Sequence, residues 1–191
     1  MSLPLKGIKV LDLSRLAAGN MVSHMLADYG ADVIKIEKPG KGDDLRNWKV
    51  KNVSHWWHVY SRNKRSIALD FKTNDGKNIL KNLIKSSDIF IENFVPGTLE
   101  KWGLSPRNLH KINEYLVILR ISGWGQSGLF KNQPGFGSIV EGMSGFAAMT
   151  REKDQMPILP PTALADMISG LTGFSSILLS IIKKLNKKVK G

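Results

Sequence analysis

The chain contains no cysteine among its 191 residues. That excludes a disulfide framework, a thiolate zinc site and a cysteine nucleophile. Histidine is scarce too. Of His24, His55, His58 and His110, only His55 and His58 are spaced like ligands, and they flank two tryptophans with no carboxylate nearby. A structural or surface role is therefore expected for that pair, and no metal site. There is no G-x-S-x-G elbow, no Walker loop and no H-E-x-x-H, so any catalysis must come from carboxylates, lysines, arginines and backbone amides. Long apolar runs are missing as well: residues 167–182 carry no charge, but sixteen residues fall short of the ~20 that cross a bilayer, and no membrane association is expected. The opening Met1-Ser-Leu-Pro-Leu-Lys-Gly7 leads straight into a strand-like segment rather than a signal peptide. A cytoplasmic location is the expectation.

Acidic residues are also in short supply, 16 against 28 lysines and arginines, for a net charge of +12. A polyanionic partner fits such a balance. Five of the cations, Lys183, Lys184, Lys187, Lys188 and Lys190, form a terminal run of the kind that ends a solvated helix. The rest are scattered, with no RNA-recognition signature or helix-turn-helix pattern, so no specific nucleic acid is expected. A small molecule bearing phosphates accounts for the excess equally well.

What is present is a regular alternation. Gly7 to Leu13 reads as a strand, Met21 to Tyr29 as a helix closed by Gly30, and Asp32 to Glu37 as a second strand ended by Pro39-Gly40. A β-α-β unit of this length implies parallel strands and a right-handed crossover. Ser66 to Asp70 reads as a strand, Asp75 to Ser86 as an amphipathic helix, and Asp88 to Asn93 as a strand. Ser105-Pro106 is an N-cap followed by proline at the first helical position, opening a helix to Asn113, and Tyr115 to Ser122 is the next strand. The prediction is an α/β fold: a Rossmann-like, doubly wound, mainly parallel sheet with flanking helices through about residue 125, then loops, then a final helix carrying Asp166.

Gly123-Trp-Gly125-Gln-Ser-Gly128 matches G-x-G-x-x-G after a strand. A dinucleotide fingerprint must continue into a helix. Here Pro134-Gly135 follows within a few residues, and the motif succeeds the fifth strand rather than the first, so the glycines read as a tight turn and no NAD site is expected. Asp166 is different. It is the only carboxylate after Gln155, set in the apolar, glycine-punctuated stretch from Pro160 to Gly173. One reading is helix-terminal electrostatics, with the helix starting at Pro161 or Thr162 and the acid in its first turns. The other is a poorly solvated carboxylate that acts as nucleophile or base.

Seven motifs in order resemble one family. Pro4-Leu-Lys-Gly-Ile-Lys-Val-Leu-Asp12, Leu26-Ala-Asp-Tyr-Gly-Ala-Asp-Val-Ile-Lys-Ile-Glu-Lys-Pro-Gly40, Gly42-Asp43, Asn63-Lys-Arg-Ser-Ile67, Glu92-Asn-Phe-Val-Pro-Gly97, Ser122-Gly-Trp-Gly-Gln-Ser-Gly128 and Leu164-Ala-Asp166 are similar to the class III CoA-transferases, the CaiB/BaiF family. The likeness extends over essentially the whole chain. It implies coenzyme A or an acyl-CoA as substrate, a carboxylic acid as acceptor, and a homodimer as the full-length assembly.

Residue by residue, the resemblance implies that Ala17 and Ala18 lay backbone against the coenzyme, that Lys38 occupies a basic position near its phosphates, and that Lys101 falls at another basic position. Tyr60, Ser61, Arg62 and Asn63 match a coenzyme-binding loop, Asn93, Phe94 and Val95 match the segment around the adenine, and Phe136 stands near the thiol end. Asp166 falls where the family has its nucleophile. The racemase branch of the family instead uses a histidine within a Gly-His-Asp segment, which reads Gly135-Phe136-Gly137 here. Phenylalanine cannot exchange a proton, which favours the transferases over the racemases. Family chains are longer, so these 191 residues are expected to be the N-terminal, CoA-binding part of the large domain. A smaller domain, a returning C-terminal segment and a closing glycine-rich loop would lie beyond them. A truncated chain of this kind could bind the coenzyme without catalysis.

Overall fold

The computed structural model describes residues 2–187. Five strands, β1 (Lys9–Asp12), β2 (Asp32–Glu37), β3 (Lys64–Ala68), β4 (Ile89–Glu92) and β5 (Val117–Arg120), form one sheet in the order β3-β2-β1-β4-β5. Every pairing is parallel. Each strand therefore needs a crossover. These are α1 (Ala18–Asp28), α2 (His55–Ser61), α3 (Asn74–Lys85), and α4 (Thr98–Lys101) with α5 (Pro106–Ile112). The predicted doubly wound α/β architecture is the one observed.

The alternation of side chains along the strands divides the core into two layers. On one face Val10, Val33, Ile89 and Ile91 pack with Val22 and Leu26 of α1 and with Phe174 and Ile177 of α8 (Leu164–Lys187). On the other, Leu11, Ile36 and Phe90 pack with Leu80 and Ile84 of α3, Leu99 of α4 and Leu109 of α5. Leu11, Leu80 and Phe90 are fully buried, and each such side chain contributes about 1.5–3 kcal/mol by leaving water. The cap read from the sequence is present, Ser105 capping α5 with its hydroxyl accepting from the Asn108 amide at 3.3 Å; the structure adds a second, Thr73, which caps α3 in the same way.

The differences lie in the connections. α2 and α4 were not evident from periodicity, being 7 and 4 residues long, too short to establish a 3.6-residue repeat. The segment read as loop after residue 125 contains α6 (Gly137–Met143) and α7 (Phe146–Met149). α8 begins at Leu164, later than Pro161 or Thr162. It is also more than the charge-free run suggested, because the 22 residues from Leu164 to Leu185 are long and apolar enough, by length and composition, to cross a membrane. One face of α8 is nevertheless docked on α1 and the sheet through Phe174 and Ile177. Of the terminal lysines, Lys188 and Lys190 lie outside the described residues, while Lys184 donates to the Tyr115 carbonyl at 2.5 Å.

Candidate functional site

The strand order reverses between β1 and β4, and in open α/β sheets the crevice at the carboxyl ends of such a pair is where ligands bind. Two loops leave from that point. Asn93, just past β4, ties them together: its side-chain oxygen accepts from the Arg15 amide at 2.8 Å and its nitrogen donates to the Arg15 carbonyl at 2.6 Å. Leu16, next along, is held at φ +60°, a conformation that costs a non-glycine residue of order 1–3 kcal/mol. Its amide donates to Asp43 at 3.0 Å and its carbonyl accepts from Asn20 at 2.6 Å, which fix it there.

Asp43 is itself part of a buried ionic cluster. Lys35 lies 3.0 Å from Asp43 and 3.5 Å from Asp12, and Lys64 lies 3.5 Å from Asp12, with all four side chains at most 2% exposed. Lys35 also donates to the Ser14 carbonyl. Burial pushes the Asp12 carboxyl up, but Lys35, Lys64 and the hydroxyls of Ser14 and Ser23 more than reverse this and hold it below its ordinary value. Burial pushes the Lys64 ammonium down to about 8, against the pull of Asp12. Beside them Glu37 accepts from Arg46, Ser66 and the Asp43 amide, which outweigh its own burial and lower it to about 2. Lys64, Ser66 and Asp43 are motif residues whose visible role is to brace the loop that leads into α1.

That loop ends at Ala17, which has no side chain able to cap the helix. The first-turn amide of Ala18 donates instead to Asp166, 148 residues away, at 3.3 Å. Asp166 stands in the first turn of α8, so its carboxylate faces the positive ends of two helices. Gly137 closes the other side. A Cβ there would lie 2.6 Å from Asp166 Oδ2. Burial pushes the Asp166 carboxyl above its ordinary value, the Ala18 amide opposes this, and the charge of Glu141 adds to it. Among the described residues no cation forms an ion pair with Asp166.

A cavity of about 320 Å³ opens beside this carboxylate. Six residues predicted for the site, Ala18, Asn93, Phe94, Val95, Phe136 and Asp166, line it. The other predicted residues lie elsewhere. Ala17 and Tyr60 are buried together with Leu45 behind the loop, and the Tyr60 phenol is raised first by burial and then by the charge of Asp166. Lys38 and Lys101 are exposed, at the ends of β2 and α4. Ser61 lines a second cavity, of about 200 Å³, with Lys35 and Lys64. Arg62 and Asn63 are turned to Asp28, at 2.5 and 2.8 Å.

The cavity also brings in Arg15, Trp124 and Lys131, which residue types alone did not single out. Trp124 donates to the Pro134 carbonyl at 2.9 Å, and Gly123 meets Gly135 so closely that a Cβ on it would lie 2.4 Å from the Gly135 Cα. The glycine motif is a turn, with Gly125 and Gly128 at positive φ, and the next helix begins at Gly137. Glu141, which faces the start of α8, is not marked by any motif. Its one sequence signal is an acid inside the apolar run Ile139-Val140-Glu141.

The model of CoA-transferase family III matches residues 5–189. Succinyl-CoA–D-citramalate CoA-transferase of Chloroflexus aurantiacus is 43% identical over 170 residues, covering 87% of this chain and 42% of that protein. Succinate–glutarate CoA-transferase of Agrobacterium fabrum is 40% identical over 188 residues, covering 94% and 47%. A crystal structure of a CaiB/BaiF family protein from Brucella suis superposes with a TM-score of 0.93 at 36% identity, over 98% of this chain and 51% of that one. A hypothetical protein from Mycobacterium tuberculosis gives 0.91 at 30% identity, over 97% and 52%. The chain thus spans less than half the length of these curated relatives. With its parallel sheet, its switch-point cavity and these matches, the chain belongs to CoA-transferase family III.

Proposed function

We propose that the chain is the coenzyme-binding part of an enzyme that transfers CoA from an acyl-CoA thioester to a carboxylic acid, with Asp166 as the nucleophile. One observation carries this reading. Asp166 is a partly buried carboxylate with no cationic partner among the described residues, aimed into a cavity at the switch point of a parallel sheet. A cavity near the lower end of the ~300–1,000 Å³ range of ligand pockets suits the acyl and pantetheine end of the substrate, leaving the nucleotide on the surface.

Asp166 attacks the thioester carbonyl, the C–S bond breaks, and a mixed anhydride and CoA thiolate result. The thiolate then attacks the aspartyl carbonyl, forming an aspartyl-CoA thioester and releasing the donor acid. The acceptor carboxylate attacks that thioester in turn, giving a second anhydride and thiolate. Attack of the thiolate on the acceptor's acyl carbon yields the new acyl-CoA and regenerates Asp166. Covalent catalysis divides one difficult exchange into easier steps. The first-turn amide of α1, at Ala18, is suited to stabilise the negative charge that develops beside Asp166. Phe136, Val140 and Val95 line the cavity with apolar surface, and covering that surface would limit hydrolysis of the intermediates.

The names of the relatives support succinyl-CoA as the donor to try first. The homodimer implied by the family would cover part of the exposed apolar surface of α8 at Ile168, Leu171 and Leu179. The test is mass spectrometry of the chain after incubation with succinyl-CoA. A CoA thioester or anhydride on Asp166, lost in Asp166→Asn while CoA binding persists in calorimetry, is the expected result. Undiminished adduct or turnover in Asp166→Asn overturns the assignment, and CoA binding without any adduct in the unaltered chain identifies a noncatalytic coenzyme-binding unit.

A further inference from the structure

Glu141 lies on α6 and is buried, 7% exposed, beside the start of α8. Its Oε1 accepts from the Ala165 amide at 2.9 Å, one residue before Asp166. Gly137 is one helical turn earlier on the same face of α6, and its missing side chain allows the close approach to Asp166 Oδ2. The two helices are thereby locked with a pair of carboxylates at their junction. Among the described residues Glu141 forms no ion pair.

A free amide at a helix start is satisfied equally well by the neutral oxygen of serine, threonine or asparagine. Burying a charged acid for that purpose alone is costly. We propose that Glu141 is a positioning residue for Asp166: anchored on the Ala165 amide, it places a second buried carboxylate beside the first and makes Asp166 the more reactive anion. This rests on the reading of Asp166 as nucleophile.

The surroundings on every side are consistent with that role. From α1 the Ala18 amide faces Asp166 and favours its charged form, as does the backbone of α8 itself. From α2 comes the neutral phenol of Tyr60. Arg15 and Lys131 line the same cavity but form no ion pair with it. Among the described residues Glu141 is the carboxylate whose charge acts on Asp166, and it acts in the same direction as burial. A more basic carboxylate is the better nucleophile toward an acyl carbon.

The experiment is a ¹³C NMR titration of the aspartate side-chain carboxyls in the full 191-residue chain, with Asp166→Asn identifying the Asp166 signal. Glu141→Gln keeps an acceptor for the Ala165 amide and removes the charge. The expected result is a downward shift of the Asp166 midpoint in Glu141→Gln, with circular dichroism and thermal midpoint close to those of the unaltered chain. Should that variant not fold, Glu141→Met fills a similar volume without charge and is read the same way. An Asp166 midpoint that is unchanged or higher in the folded variant overturns the proposal and leaves Glu141 as a helix cap. The titration needs no substrate, so it can fail while the Asp166 adduct forms, or succeed while the adduct does not.

Discussion

Two groups of buried or partly buried acids lie on either side of the loop from Ser14 to Ala18, and they are satisfied in opposite ways. Asp12 and Asp43 are matched by Lys35 and Lys64, two carboxylates against two ammonium groups, all nearly inaccessible. Asp166 and Glu141 have backbone amides in place of cations. In the first group each charge is paired and hydrogen-bonded, even where Lys35 and Lys64 border the second cavity. The second group retains its charge beside a cavity. Within one small region a matched cluster braces the fold and an unmatched one borders the cavity, and the loop between them links the first to the Ala18 amide.

The largest effect is expected from breaking the matched cluster. Lys35→Met leaves Asp43 buried without its cation and should cost about 3–5 kcal/mol in unfolding free energy, read by urea denaturation. Next is the alkaline limb. Lys64 has a folded value of about 8, below its ordinary ~10.4, so between those values the unfolded chain binds the proton more tightly than the folded one. Stability from this group therefore rises with pH through that window, at up to ~1.4 kcal/mol per pH unit, and Lys64→Met should abolish the rise in unfolding measurements at pH 8 to 10.

The smallest effect has the opposite sign. Asp166 is raised in the folded state, so stability is lost as pH rises from the unfolded value of ~3.9 through the folded one. Asp166→Asn should melt at a higher temperature than the unaltered chain at pH 7, and the two should converge as pH falls toward 3. A lower melting temperature at pH 7 would place Asp166 among the stabilising acids and erase the contrast.

Most of the sheet was legible from its short apolar runs, whose side chains alternate between layers: Val10, Ile89 and Ile91 face one, and Leu11 and Phe90 the other. The Asp166 helix and the turn at Gly123–Gly128 were legible from composition and glycine placement. Arg62 and Asn63 show what was not. A cationic and an amide side chain in a matching loop can serve a ligand or a neighbour, and only the fold shows both meeting Asp28. Glu141 and α6 escaped notice for a related reason: seven residues containing two glycines carry no periodic signal, and the acid's partner is an amide 24 residues away.

Gly170 and Gly173 follow Asp166 by four and seven residues, on one stripe of α8. A Cβ at Gly170 would come 2.9 Å from the Met21 Cβ, and one at Gly173 3.1 Å from Leu119 and 3.2 Å from Val22. The bare stripe lets α8 settle against α1, and the 3.3 Å reach from Asp166 to Ala18 depends on that depth of seating. The glycines act as a gauge for the length of the proposed nucleophile: with the helices this close, the single methylene of an aspartate spans the gap, and the extra carbon of a glutamate would overshoot it.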